Sequence, residues 1–239
     1  MEVAPLRVLP TPAAIGDYVA ERLLERIEHA RQVGRRFLLG CPTGLTPQPI
    51  YDEITRHRCD LSHVVLVMMD EYVPSAGEPW SCHAFVEKHM PWKLFGVWFP
   101  DPREPAAYDQ RITEAGGIDF FLLASGALDG HVAFNQPGSP RDSRTRIVPL
   151  SAAARRENVP DHGVTVGIAT ITGAREAMMV VWGAAKRLTL QRILAAKGYD
   201  PSWPATVIHE CPIREIVCDL EASATAPDAV AAGRAVGGR

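Results

Sequence analysis

A chain of 239 residues, 46% of them hydrophobic and 22% charged, is long enough to bury a sizeable core and by default forms one domain. Its formal charge of -3 gives no electrostatic reason to expect nucleic acid or an anionic membrane as a partner, whereas a small anionic ligand needs only a local cluster. The five cysteines, Cys41, Cys59, Cys82, Cys211 and Cys218, form no C-x-x-C pair and leave an odd thiol, which speaks against a zinc site or a disulfide framework and fits a reducing compartment.

The start, Met1 to Ile15, lacks the charged-then-apolar order of a secretory leader, and no apolar run reaches the ~20 residues that cross a bilayer; a cytoplasmic protein is expected. From Ala13 to Val33, Ile15, Val19, Leu23, Leu24 and Ile27 recur at helical spacing while Glu21, Arg22, Glu25 and Arg26 fill the other face. Phe37 to Leu39 is a short apolar run that stops at Gly40, and a Pro/Gly/Thr-rich turn then leads to a second helix over Pro49 to Arg58. The same grammar repeats. Val64 to Met69 ends in Asp70, and Ile118 to Leu123 ends shortly before Asp129; further apolar runs are Val164 to Ile168, Met178 to Trp182 and Ile213 to Cys218, with a helical stretch from Lys186 to Ala196. This alternation predicts a single-domain α/β fold over residues 1–220, a largely parallel doubly wound sheet with helices on both faces, and a loosely ordered tail over residues 221–239.

In such sheets ligands bind beyond the carboxyl ends of the strands, and the polar motifs fall there. Gly40-Cys41-Pro42-Thr43-Gly44-Leu45-Thr46-Pro47 joins a strand to a helix, and backbone amides in such a turn can face a phosphate; taken alone, the motif is equally a tight turn. The Walker spacing is absent, which removes the main support for nucleotide hydrolysis. Asp70, in Met69-Asp70-Glu71-Tyr72, could take a proton from carbon or merely cap a helix, and Ser81-Cys82-His83-Ala84-Phe85 follows it. In Asp129-Gly130-His131-Val132-Ala133-Phe134-Asn135-Gln136-Pro137-Gly138 an acid sits two residues from a histidine in a glycine-bearing turn. A carboxylate there can orient an imidazole that moves protons near neutral pH, which makes His131 the best acid/base candidate of eight histidines. His57, His63, His162 and His209 default to structural or solvent-exposed roles.

The segments GCPTGLTP, MMDEY, SCHAF, GGIDFFLLASGALDGHVAFNQPGS, SRTRIVPL, VTVGIATITGAREAMMVVWGAAKRL and HECPIREIVCD occur in the order and at nearly the spacing of the glucosamine-6-phosphate deaminase/isomerase family, relatives of the 6-phosphogluconolactonases, and the resemblance covers roughly residues 36–220. It implies a metal-free and cofactor-free conversion of glucosamine 6-phosphate to fructose 6-phosphate and ammonia. By motif, Asp70 would be the base that moves the proton between the first two sugar carbons. Asp129 and His131 would assist ring opening, while Thr43, Gly44 and Lys186 would hold the phosphate. Because the family includes monomers and hexamers, the resemblance leaves homo-oligomer formation open.

The sequence departs from the family at several positions. Gln136 stands where the family has a glutamate that helps the histidine through its proton transfers, and glutamine cannot usefully accept a proton. Ala127 replaces a glycine of the family's G-x-D-G-H turn, with Gly126 one place earlier. Between Leu150 and Val164 the family's lid is longer and carries a phosphate-binding arginine, a role open to Arg155 or Arg156. Val148 replaces a basic residue of the segment that holds an allosteric effector in some members. These departures keep two alternatives beside the deaminase: an isomerase or lactonase acting on a different phosphorylated or anionic sugar, and a non-catalytic sugar-phosphate sensor.

Overall fold

The continuous apolar runs of the sequence form the middle of one parallel sheet. The computed structural model describes residues 3–74, 78–150 and 159–224. Along the chain the elements are β1 (Leu6–Leu9), α1 (Pro12–Gln32), β2 (Phe37–Cys41), α2 (Gln48–His57), β3 (Val64–Met68), β4 (Asp70–Val73), α3 (Cys82–His89), β5 (Gly96–Trp98), α4 (Pro105–Glu114), β6 (Phe120–Ala124), β7 (Arg146–Pro149), β8 (His162–Thr165), α5 (Ile168–Thr172), β9 (Glu176–Val181), α6 (Arg187–Ala195), β10 (Ile213–Asp219) and α7 (Leu220–Ser223). Short 3-10 turns lie at Ala184–Lys186 and Pro204–Glu210. Seven strands pair in the order β1-β10-β9-β6-β2-β3-β5, every pair parallel.

Central strands are apolar without interruption because both of their faces are covered. Phe37, Leu39, Leu66, Phe120 and Leu122 point into one core with Ile15, Val19 and Leu23 of α1 and Ile50 and Ile54 of α2. Leu38, Val65, Phe121, Leu123 and Met179 point into the other, with Ile112 of α4, Ile171 of α5 and Ile193 of α6. Thr11 starts α1 by accepting from the Ala14 amide at 3.2 Å, with Pro12 at the first helical position. Gly16 lets α1 lie hard against the start of α2, since a Cβ there would stand 2.6 Å from the Pro49 carbonyl oxygen.

Two sequence expectations change. Val164 to Ile168 does not join the parallel sheet; its first residues belong to β8, the centre of a second, three-stranded antiparallel sheet ordered β4-β8-β7. Helical order also passes residue 220, because Asp219 caps α7 by accepting from the Ala222 amide at 2.7 Å and Ala222 is buried. Residues 225–239 of the expected tail lie outside the described residues. Among the described residues no helix is long and apolar enough to cross a membrane.

Sheet order fixes where a ligand can sit. β2 connects through α2 to β3 on one side, whereas its other neighbour, β6, connects to β9 on the opposite side. Adjacent strands whose connections run apart leave a crevice at their carboxyl ends.

Candidate active site

That crevice is a cleft of about 220 Å³. Its floor and walls come from Pro42 to Thr46 after β2, Ala124 and Ser125 at the end of β6, His131, Ala133 and Phe134 from the following loop, and Asp70 and Tyr72 from β4. The small second sheet thus carries an acid to the mouth of the main one.

In the β2 loop, Gly44 has φ +97°, a left-handed conformation that suits glycine. The amides of Thr43, Gly44, Leu45 and Thr46 donate to no backbone carbonyl among the described residues, so they remain donors for an anion at the start of α2. Lys186 reaches this loop from the 3-10 turn after β9: its Nζ donates to Thr46 Oγ1 at 2.7 Å and to the Ser125 carbonyl at 2.8 Å. It has no carboxylate partner among the described residues, and burial lowers its ammonium to about 8. A cation held by neutral oxygens beside free amides suits a phosphate.

Asp70 is 6% exposed. Burial pushes its carboxyl up to about 7; Glu71 adds to that rise, while the Cys82 thiol and His131 oppose it. Cys82 Sγ donates to Asp70 Oδ1 at 3.4 Å and lies 3.7 Å from Thr43 Oγ1. Glu71 faces away from the chemistry: its two oxygens accept from the amides of Tyr72, Cys82 and His83, and Oε2 also meets His83 Nδ1 at 2.5 Å.

His131 Nδ1 pairs with Asp129 Oδ1 at 2.7 Å, and the His131 amide donates to the same oxygen at 3.2 Å. Burial raises the Asp129 carboxyl, but the bonds and charge of His131 outweigh it and leave the group below its ordinary value. With Nδ1 engaged, Nε2 is the ring nitrogen available to a bound molecule. Gly126 makes room for this pair, since a Cβ there would overlap His131 Nδ1 and Cε1 and stand 2.7 Å from Asp129 Oδ1.

Of the residues read from the sequence, Thr43, Gly44, Asp70 and His131 line one cleft, Asp129 is paired with His131, and Lys186 bonds two cleft residues. Gln136 is not among the lining residues and donates its amide to the Pro149 carbonyl at 2.5 Å. Arg155 and Arg156 lie outside the described residues. None of the remaining histidines lines the cleft; His209, for example, is buried with Nδ1 accepting from the Ala4 amide and Nε2 on the Ile193 carbonyl. Cys82 and Ser125 are contributions that local sequence pattern does not disclose, because their partners are 12 and 61 residues away.

Comparison with known proteins gives the chain a family context. A family model described as glucosamine-6-phosphate isomerases/6-phosphogluconolactonase matches residues 10–217. A glucosamine-6-phosphate deaminase of Dictyostelium discoideum is 35% identical over 242 residues, covering 87% of this chain and 88% of that protein. One from Bacillus cytotoxicus is 34% identical over 210 residues, covering 81% and 79%. Among solved structures, a monomeric glucosamine-6-phosphate deaminase superposes with a TM-score of 0.83 at 24% identity, covering 91% of this chain and 98% of that one. The 6-phosphogluconolactonase of Leishmania guyanensis gives 0.77 at 17% identity, covering 92% and 98%, a likeness of fold alone.

Proposed function

The chain belongs to the family of glucosamine-6-phosphate isomerases and 6-phosphogluconolactonases, and within it we propose that the protein is an amino-sugar-phosphate deaminase and isomerase that turns glucosamine 6-phosphate and water into fructose 6-phosphate and ammonia. The observation that carries this reading is one cleft holding a buried carboxyl near neutrality, a carboxylate-paired histidine and an amide-lined turn beside a lysine. Each group has a step. Thr43, Gly44 and Lys186 hold the phosphate, so the sugar carbons lie towards Asp70 and His131. His131, oriented by Asp129, carries the proton from the hydroxyl on C1 to the ring oxygen as the ring opens. Asp70 takes the proton from C2 and returns it to C1 while a proton passes from the amino nitrogen to the C1 oxygen, which leaves an imine at C2 and a hydroxyl on C1; water adds at C2 and ammonia leaves. A cytoplasmic setting belongs to the same proposal.

Purified protein incubated with glucosamine 6-phosphate is expected to release ammonia and fructose 6-phosphate in equal amounts, and Asp70→Asn to release neither. A second reading is favoured by Gln136, which cannot take a proton: a related enzyme acting on a different phosphorylated sugar or a lactone. Turnover of 6-phosphogluconolactone with no ammonia from the amino sugar would select it. Sugar-phosphate binding without turnover of either would leave a sensor.

A further inference from the structure

We propose that Cys82 is a positioning residue for this reaction, its thiol donating a hydrogen bond that holds the Asp70 carboxylate in one orientation beside the Thr43 turn. The inference rests on reading Asp70 as the base. Among the described residues Cys82 is the one side-chain donor to Asp70, at 3.4 Å from sulfur to Oδ1, and it is 2% exposed. Burial, with the nearby Asp70 and Glu71 carboxyls, pushes the thiol well above its ordinary value, so it keeps its proton and acts as a donor rather than as a thiolate. Such a donor favours the ionised carboxylate, the form that a base requires. The thiol has a single hydrogen; once it points to Asp70, the Thr43 hydroxyl 3.7 Å away is left to donate to sulfur or to a phosphate oxygen.

The protein fixes this thiol from two directions. Ser81 caps α3, accepting from the Ala84 amide at 3.1 Å, and Glu71 accepts from the Cys82 amide at 3.0 Å. Glu71 also grips His83, whose ring stacks on Phe99 with centroids 3.5 Å apart. Strand β4 therefore carries the base and, in the next residue, the carboxylate that anchors the base's donor. The other titratable groups acting on Asp70 are Glu71 and His131, while the Tyr51 and Tyr108 phenols that feel its charge donate to other oxygens, Pro42 for the first and Met68 and Trp98 for the second.

The test uses the whole protein without substrate, labelled with carboxyl-13C aspartate, and follows the Asp70 resonance, identified by its loss in Asp70→Asn, as pH changes. Loss of one hydrogen bond to a carboxylate is expected to raise the midpoint by about 0.5–1 pH unit in Cys82→Ala, whereas Cys82→Ser, which restores a donor, stays near wild type. The acidic limb of kcat/KM should move with it. An unchanged midpoint in Cys82→Ala, or an equal rise in Cys82→Ser, overturns the proposal. Should Cys82→Ala not fold, the infrared S–H stretching band of the wild-type protein decides: it must move to lower frequency as Asp70 ionises, and a static band is the overturning result. A protein that releases no ammonia from glucosamine 6-phosphate refutes the deaminase reading, whereas the titration reads the thiol's action on Asp70 independently of turnover.

Discussion

The side-chain amide of Gln136 is bonded to the carbonyl of Pro149 at 2.5 Å, which ties the position where the resemblance implies an acid to the end of β7. A glutamate cannot make this bond, because it has no hydrogen to donate and its charge repels the carbonyl. Gln136→Glu is therefore expected to turn away from Pro149 and to supply the acid that the proposed ring opening lacks. Deamination measured as ammonia release should rise at least about tenfold, a part of the ~10²–10⁴-fold that a positioned general acid/base contributes. An unchanged rate would mean that Gln136 is not what limits the reaction.

Gly126 and Ala127 are adjacent but carry opposite expectations. Gly126→Ala puts a methyl into the space filled by the His131 ring and Asp129 Oδ1, so the pair must separate and kcat should fall by about 10²-fold or more. Ala127→Gly restores the residue type of the family turn without touching that pair, and kcat should stay within about threefold of wild type by the same reasoning. Steady-state kinetics on the two variants checks both, and a loss in the second equal to that in the first would reject the steric account.

The contrast between those neighbours shows what sequence does and does not encode. Phe37 to Leu39, Val64 to Met69 and Met178 to Trp182 are legible as buried strands because each is a continuous apolar run covered on both faces, and α1 is legible from its helical period. The antiparallel sheet is not, since β4, β7 and β8 are four residues each and β7 alternates half-buried with exposed positions. Val164 and Thr165 resemble parallel-sheet residues because they are buried, although their partners in β4 and β7 run the other way. Asp70 and His131 stand out through local motifs; that Cys82 donates to one and Gly126 accommodates the other depends on contacts that only the folded chain creates.

The pH profile of kcat/KM follows from two buried groups. As the proposed base, Asp70 has to be ionised to take a proton, so the rate is expected to rise with pH through its value of about 7. As the proposed phosphate cation, Lys186 has to be charged, so the rate is expected to fall as pH passes its value of about 8. A narrow bell with its maximum between these limits is expected. Lys186→Met should raise KM for the sugar phosphate by about 10- to 100-fold, the worth of one charge-assisted hydrogen bond, and remove the alkaline limb. A wild-type alkaline limb that survives in this variant would assign it to another group.

Asp70 should also cost the fold stability, with a definite sign. Its carboxyl is about 7 in the folded protein but about 3.9 in an unfolded chain, so between those values the folded state holds a proton that the unfolded state has released. Stability then falls as pH rises from about 4 to about 7 and is flat beyond, because above the folded value the buried group is charged in both states. Asp70→Asn lacks this dependence and keeps a side chain of nearly the same shape. Its melting temperature relative to wild type should climb across that window and level off above pH 7, by an amount that thermal unfolding at pH 4.5, 6 and 8 would read. A difference that stays constant with pH would show that Asp70 is charged throughout, and would remove the burial argument for its basicity along with it.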